Sequence, residues 1–300
     1  MFTLFTIPKS FRGHSNIIQC NAIKSWTLLR PACEILLFGD DEGTGEVARE
    51  FNLRHIPQVA RNEYGTPLLN NLFEQAQHLA THDWLCYVNA DIILMSDFMQ
   101  SVVPIVSHNH RFLIVGQRWD ADVKGLIDFH SSWEKQFRTE VSQNGKLHSP
   151  DGIDYFTFPR DLWGEIPAFA IGRTIWDNWF IYRVRSLRLP VIDATATITV
   201  VHQNHDYGHH PKGFDGVWKG PEADLNLRLA GGRKHVFTLR DANWVLTSRG
   251  LRRPNLTRAR LYRQLETQGV LRPNLGPWPG LAKRLLTPRS LVRSIMKRVK

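Results

Sequence analysis

The run Trp84-Leu-Cys-Tyr-Val-Asn-Ala-Asp-Ile-Ile-Leu94 is apolar enough to be a buried strand, breaks at Asn89 and Asp91, and then turns apolar again. A carboxylate in such a place needs a task. At the carboxyl ends of strands in an open α/β sheet, it can hold a divalent cation against a diphosphate. Asp91 is therefore a candidate metal ligand, with a plain strand-end turn as the alternative. A second concentration of chemistry lies at Val200-Val-His-Gln-Asn-His-Asp-Tyr-Gly-His-His210, where a β-branched run exits into four histidines within nine positions. Neutral imidazole suits Mn2+ beside carboxylate and phosphate, and protonated imidazole can bond a diphosphate. The alternative is a set of surface or capping residues. Arg173, Arg183 and Arg185 are candidate cations for the charge of an anionic ligand, or the solvent face of a helix.

These residues need elements to carry them. Short β-rich runs alternate with helical segments, the pattern of an α/β sheet. Strands are predicted at residues 2–7, 34–38, 84–88 and 111–115. Helices are predicted at residues 15–29 and 67–80, the second with Leu68, Leu69, Leu72, Phe73 and Ala76 at helical spacing and Pro67 suited to a first turn. After Gly116 the texture becomes long aromatic-rich loops. The β-branched run Val191–Val201 is predicted as a single strand, residues 174–188 as a helix, and residues 216–232 as holding one more short helix.

Charge divides the chain. Residues 251–300 hold 13 Lys and Arg against one acid, Glu266, whereas residues 1–250 hold 25 basic and 27 acidic side chains. The body is close to neutral and the tail owns the excess. From Ser290, Leu291, Val292, Ile295, Met296 and Val299 interleave with Arg293, Lys297, Arg298 and Lys300. That is the pattern of a helix lying in a membrane interface, with Trp278 and Leu281 as further anchors; the alternative is docking on the protein's own core. No apolar run approaches the ~20 residues of a membrane span. The opening residues lack the basic start of a signal peptide, and the three cysteines are widely spaced. Both fit a cytoplasmic protein in a reducing compartment. A basic tail without a recognition motif, and with an apolar stripe, argues against nucleic acid as a partner.

With these parts in order, the chain resembles a bacterial GT-A glycosyltransferase of the family 2 kind. The resemblance rests on Phe5-Thr6-Ile7-Pro8-Lys9-Ser10, Phe38-Gly-Asp-Asp-Glu42 and Asn89-Ala-Asp91 at successive strand ends. It implies a mixed, Rossmann-like sheet flanked by helices over residues 1–250, with a nucleotide-sugar half (1–120) and an acceptor half (121–250), followed by a basic tail over residues 251–300. Thr6 and Pro8 would line the nucleotide pocket, Asp40 or Asp41 would meet base or ribose, and Asn89, Ala90 and Asp91 would stand for the DxD motif. Asn89 departs from that motif, because an amide is a poor metal ligand and leaves more of the binding to Asp91. The resemblance also implies that His202 or His205 completes the shell of a divalent ion, Mn2+ or Mg2+.

The stretches Gly152–Pro159 and Phe169–Trp179 resemble the segments with which such enzymes grip an acceptor sugar. They make Tyr155, Trp176 and Trp179 candidate stacking residues. Asp177 is the candidate catalytic base and Asp154 its rival, although Asp177 also suits a helix cap and the tryptophans a core. The implied partners are a nucleoside-diphosphate sugar, a saccharide or lipid-linked acceptor, and an anionic membrane surface met by the tail. The competing classes are a sugar-phosphate nucleotidyltransferase, which lacks its Gly-rich loop here; a zinc hydrolase on His202, His205 and His209, which leaves the strand-end acids unexplained; and a non-catalytic carbohydrate- or membrane-binding protein.

Overall fold

The computed structural model describes residues 2–107, 111–205, 218–272 and 274. It divides into two compact units, Met1–Arg252 and Arg253–Lys300. The first runs β1 (Phe2–Thr6), α1 (Gly13–Thr27), β2 (Glu34–Phe38), α2 (Thr44–Glu50), β3 (Arg54–Ile56), α3 (Leu69–Leu79), β4 (Trp84–Val88) and β5 (Ile92–Ile93). It continues with α4 (Ser96–Val106), β6 (Leu113–Val115), β7 (Arg118–Ala121), α5 (Trp133–Asn144), β8 (Lys146–Leu147), β9 (Tyr155–Pro159) and α6 (Trp176–Ser186). It ends with β10 (Val191–Asp193), β11 (Val200–Gln203), α7 (Pro221–Leu229), β12 (Trp244–Thr247) and β13 (Gly250–Arg252).

The architecture is the mixed α/β sheet with flanking helices that the alternation of runs predicts. The large sheet has the order β13-β12-β10-β6-β9-β4-β1-β2-β3. Its strands are parallel except β9, which runs against β4 and β6, and β13, which runs against β12. Every residue of β1 and β4 is buried, as strands covered on both faces must be. Phe73 of α3 supplies much of that cover, with its ring centroid 5.0 Å from Phe5, 5.5 Å from Tyr87, 5.5 Å from Phe158 and 4.9 Å from Phe180. The parallel arrangement brings the C-terminal ends of β2, β1, β4, β6 and β10 to one edge.

At that edge the chain leaves the large sheet three times, from β4 to β5, from β6 to β7 and from β10 to β11. The three arrivals, with β8, form a small sheet of order β5-β11-β7-β8. The run Val191–Val201 is therefore not one strand but two, one in each sheet. The break is local chemistry: Asp193 Oδ1 accepts from the Thr195 hydroxyl at 2.5 Å and its N–H at 3.0 Å, and the Ala194 carbonyl accepts from Thr197 and Ile198. Side-chain to backbone bonds of this kind compete successfully with β propensity.

Two further corrections concern helices. Pro67 lies outside α3, bridged to Arg61, and the helix begins after Leu68. The supposed loops after Gly116 contain α5, whose Trp133, Phe137 and Val141 face inward one turn apart.

The second unit contains α8 (Arg258–Leu271), begun by Thr257, whose hydroxyl accepts from the Arg260 N–H at 3.2 Å. The amphipathic stretch from Ser290, with Trp278 and Leu281, lies outside the described residues, as do His209 and His210. No helix among the described residues is long and apolar enough to cross a membrane.

Candidate active site

Asp91 stands where the chain passes from β4 to β5. Its backbone is pinned by Gln203, whose N–H and side-chain amide both donate to the Asp91 carbonyl, at 3.4 and 3.0 Å. Gln203 is fully buried and also donates to the Ile18 carbonyl. The register of β5 with β11 sets His202 opposite Ile92, and this brings two imidazoles onto the Asp91 carboxylate. Oδ2 of Asp91 lies 3.0 Å from His205 Nε2 and 3.7 Å from His202 Nε2. Ligand atoms of all three residues fall within 4.8 Å of one another.

Burial alone would push the Asp91 carboxyl up. His202, the His205 hydrogen bond and Lys9 overcome it and hold the group well below the usual carboxylate range. The other oxygen, Oδ1, is buried with no hydrogen-bond partner among the described residues. A carboxylate with one oxygen on two imidazoles and the other buried without a partner is a costly arrangement, and it fits a divalent cation. One carboxylate with two imidazoles is a donor set of intermediate softness, better suited to Mn2+ than to Mg2+, which prefers all-oxygen shells.

Asn89 does not turn toward this cluster. Its amide donates to Asp154 Oδ1 at 2.6 Å, and its backbone N–H to the Asp154 carbonyl at 2.9 Å. Asp154 is 5% exposed and takes a two-oxygen clamp from Arg118 Nη1, at 2.9 and 2.8 Å. Arg118 Nε in turn holds Asp120 Oδ1 at 2.9 Å, and His148 Nδ1 holds Asp120 Oδ2 at 2.6 Å. Sequence reasoning passed over Arg118, Asp120 and His148. A signal existed: Phe112–Val115 ends in Gly-Gln-Arg-Trp-Asp, another apolar strand breaking into charge, with Arg118 and Asp120 on one face of β7.

Asp177 occupies the first turn of α6. The chain reaches it through Ile175, which holds φ at 90°, a value a β-branched residue adopts only under strain. Asp177 Oδ1 accepts from the Asn178 N–H at 2.9 Å. Burial pushes the carboxyl up to about 7, against that hydrogen bond and with the charge of Asp154 adding to the rise. The phenol of Tyr87 is raised by burial and then by the charges of Asp91, Asp154 and Asp177.

The aromatic candidates are not where stacking needs them. Tyr155 is wholly buried in β9, with its ring 6.1 Å from Phe98 and its hydroxyl beside Gly116, where a Cβ would come within 2.5 Å. Trp176 and Trp179 are 5% and 6% exposed and pack on Tyr87, Phe156, Phe169 and Phe180. None offers a free face to a sugar; all three are core. Asp154, engaged through both oxygens, is likewise poorly placed to receive a proton.

On the other side of the edge, Thr6 and Pro8 are buried at the end of β1, and Thr6 Oγ1 has no partner among the described residues. Asp40 and Asp41, past the end of β2, both hold Arg61, at 2.8 and 3.2 Å. Arg173 is committed to Glu222 at 2.6 Å and Arg183 donates to the Trp163 carbonyl.

No family model matches the chain, and no curated protein sequence matches it. Among solved structures it is similar to TarS from S. aureus, at 10% identity and a TM-score of 0.33, over 42% of this chain and 38% of that one. It is similar to glucosyl-3-phosphoglycerate synthase from Mycobacterium tuberculosis in complex with Mg2+ and UDP, at 12% identity and a TM-score of 0.46, over 77% and 80%. A third likeness is to GalNAc-T7 with UDP, GalNAc and Mn2+, at 16% identity and a TM-score of 0.48, over 77% and 48%. The chain thus spans less than half of the TarS and GalNAc-T7 chains it matches.

Proposed function

We propose that the protein is a GT-A type glycosyltransferase that moves a sugar, with inversion, from a nucleoside-diphosphate sugar to a hydroxyl of a saccharide or lipid-linked acceptor. One observation carries the reading. A carboxylate flanked by two imidazoles, with an orphaned buried oxygen, stands at the C-terminal edge of a mostly parallel sheet, and a second carboxylate, Asp177, which feels the charge of Asp154, has a proton affinity close to neutrality.

Asp91, His202 and His205 would hold the divalent ion. When bound, such an ion neutralises charge on a diphosphate leaving group. The remaining work falls to the chain. Thr6, Pro8, Asp40 and Asp41 shape the edge on which base and ribose lie. Asn89 gives its amide donor to Asp154, and its Oδ1 would accept from a ribose hydroxyl. Asp177 keeps one oxygen on the Asn178 N–H and uses the other to receive the acceptor's proton. The acceptor oxygen bonds to the anomeric carbon, the bond from that carbon to the phosphate oxygen breaks, and the electron pair leaves with the nucleoside diphosphate. Asp154, clamped by Arg118, stays fixed and raises the proton affinity of Asp177. The basic tail holds the enzyme at an anionic membrane surface.

UDP and GDP, each with Mn2+ or Mg2+, are the probes. A ligand at 100 times its Kd stabilises the fold by about 2.7 kcal/mol, which a thermal melt resolves. A melting temperature unmoved by any of the four combinations would remove the reading. A positive result leads to a panel of nucleotide sugars assayed for hydrolysis with Mn2+.

A further inference from the structure

Asp120 sits directly opposite His202 in the pairing of β7 with β11. Its Oδ1 lies 3.4 Å from His202 Nδ1, a nitrogen that is buried and has no hydrogen-bond partner of closer geometry among the described residues. A histidine that gives one nitrogen to a metal commonly offers the other to a carboxylate, which fixes the ring's tautomer and direction. With the proton on Nδ1 facing Asp120, the lone pair of His202 falls on Nε2, the nitrogen nearest Asp91.

Asp120 is itself held from two sides. Arg118 Nε bonds its Oδ1 and His148 Nδ1 its Oδ2. His148 is fixed in turn: its N–H donates to the Arg118 carbonyl at 2.9 Å, its carbonyl accepts from the Gln117 amide at 2.5 Å, and its ring lies on Gly152. A Cβ at position 152 would come within 2.2 Å of the ring, so the glycine is what lets the imidazole approach. Two ordered cations or donors holding one carboxylate, aimed at one orphan nitrogen, form a mount for the histidine rather than a surface ion pair.

We infer that Asp120 is the positioning residue of the metal site, orienting His202 so that its Nε2 faces the ion, with Arg118 and His148 holding Asp120 in place. The inference rests on the proposed cation site at Asp91, His202 and His205 and adds to it a second layer that none of those three residues contains. It assigns Asp120 no contact with metal, nucleotide or sugar.

The test is Mn2+ titration of the full chain, free of nucleotide, followed by electron paramagnetic resonance. Pulsed spectra report the nitrogen couplings of bound imidazoles. Wild-type protein should bind Mn2+ with coupling to two histidine nitrogens. Asp120→Ala should weaken Mn2+ binding by about 10- to 100-fold and lose or alter one of the two couplings, while its melting temperature in EDTA is compared with wild type. Asp120→Asn keeps an oxygen for the His202 N–H and should fall between the two; it also carries the test should the alanine variant fail to fold. Wild-type affinity and unchanged couplings in both variants would overturn the role of Asp120 and leave the metal site standing. Failure of the wild-type protein to bind Mn2+ would remove the site itself, and the role of Asp120 with it.

Discussion

A carboxylate whose proton leaves near pH 7 has two opposite effects, and Asp177 should show both. As a base it must be deprotonated, so the proposed transfer should fade as pH falls through about 7. Asp177→Asn should cost about 10²- to 10⁴-fold in kcat with KM little changed, checked by initial rates on the donor found in the panel. Stability moves the other way. Between the ordinary carboxylate value of 3.8 and about 7, the folded chain keeps a proton that the unfolded chain has lost, so stability declines as pH rises through that window. Removing the charge removes the decline, and Asp177→Asn should melt higher than wild type at pH 8 with little difference at pH 4. Equal differences at the two pH values would show that Asp177 is not perturbed. Asp91 could be singled out in the sequence because it interrupts an apolar run, and Asp177 because its segment resembles an acceptor loop leading into a helix. Asp120 and Arg118 were not, since their partners His148, Asp154 and His202 lie 28 to 82 residues away in the chain and meet them only through strand pairing. Tyr155, Trp176 and Trp179 misled for a related reason: an aromatic beside an acid reads as a sugar clamp until the layers show which faces are covered.

At the scale of elements, α3 and α7 place α6, the helix that carries Asp177. Phe73 of α3 touches rings from β1, β4, β9 and α6, so it sets how α6 lies on the sheet. Phe73→Ala should cost about 3–5 kcal/mol, measured by urea unfolding, and should lower activity more than the small loss of folded protein explains. Asn226 of α7 is fully buried; it accepts from the Ala170 N–H and donates to the Ala170 and Thr174 carbonyls, fixing the segment that leads into Ile175 and Asp177. Asn226→Ala leaves a buried N–H without a partner, at roughly 1–3 kcal/mol for that group alone; hydrogen exchange at Ala170 reports the loss directly. The strands of residues 1–120 were readable because runs such as Trp84–Val88 are short, apolar and bounded. Residues 121–250 were harder. In Val191–Val201 a side-chain turn outweighs eleven residues of β propensity, and in residues 133–144 polar filler hides the spacing of Trp133, Phe137 and Val141.

For the molecule as a whole, charge and topology carry separate consequences. The last fifty residues hold more than the whole of the positive excess, since the rest of the chain is slightly acidic, so the full chain should sediment with vesicles containing anionic lipid, fail to do so with neutral ones, and be released by raised salt. Salt-insensitive binding would point to apolar insertion instead. Topology bears on the three departures from the large sheet. Asp91 lies on the first, Arg118 and Asp120 on the second, and His202 and His205 on the third and its immediate continuation, so the cation cluster draws on the first and third crossings of one seam and its support on the second. An ion there would act as a rivet along the seam, adding to the bonds from Arg118 of β7 to Asp154, just before β9. Deuterium uptake in β5, β7 and β11 should then fall together when Mn2+ is added, while uptake in β2 and β3, across the sheet from the seam, stays as it was. Local stiffness along this line would thereby be set by cargo as much as by packing, and a protein purified in chelator would be the looser of two forms of the same fold.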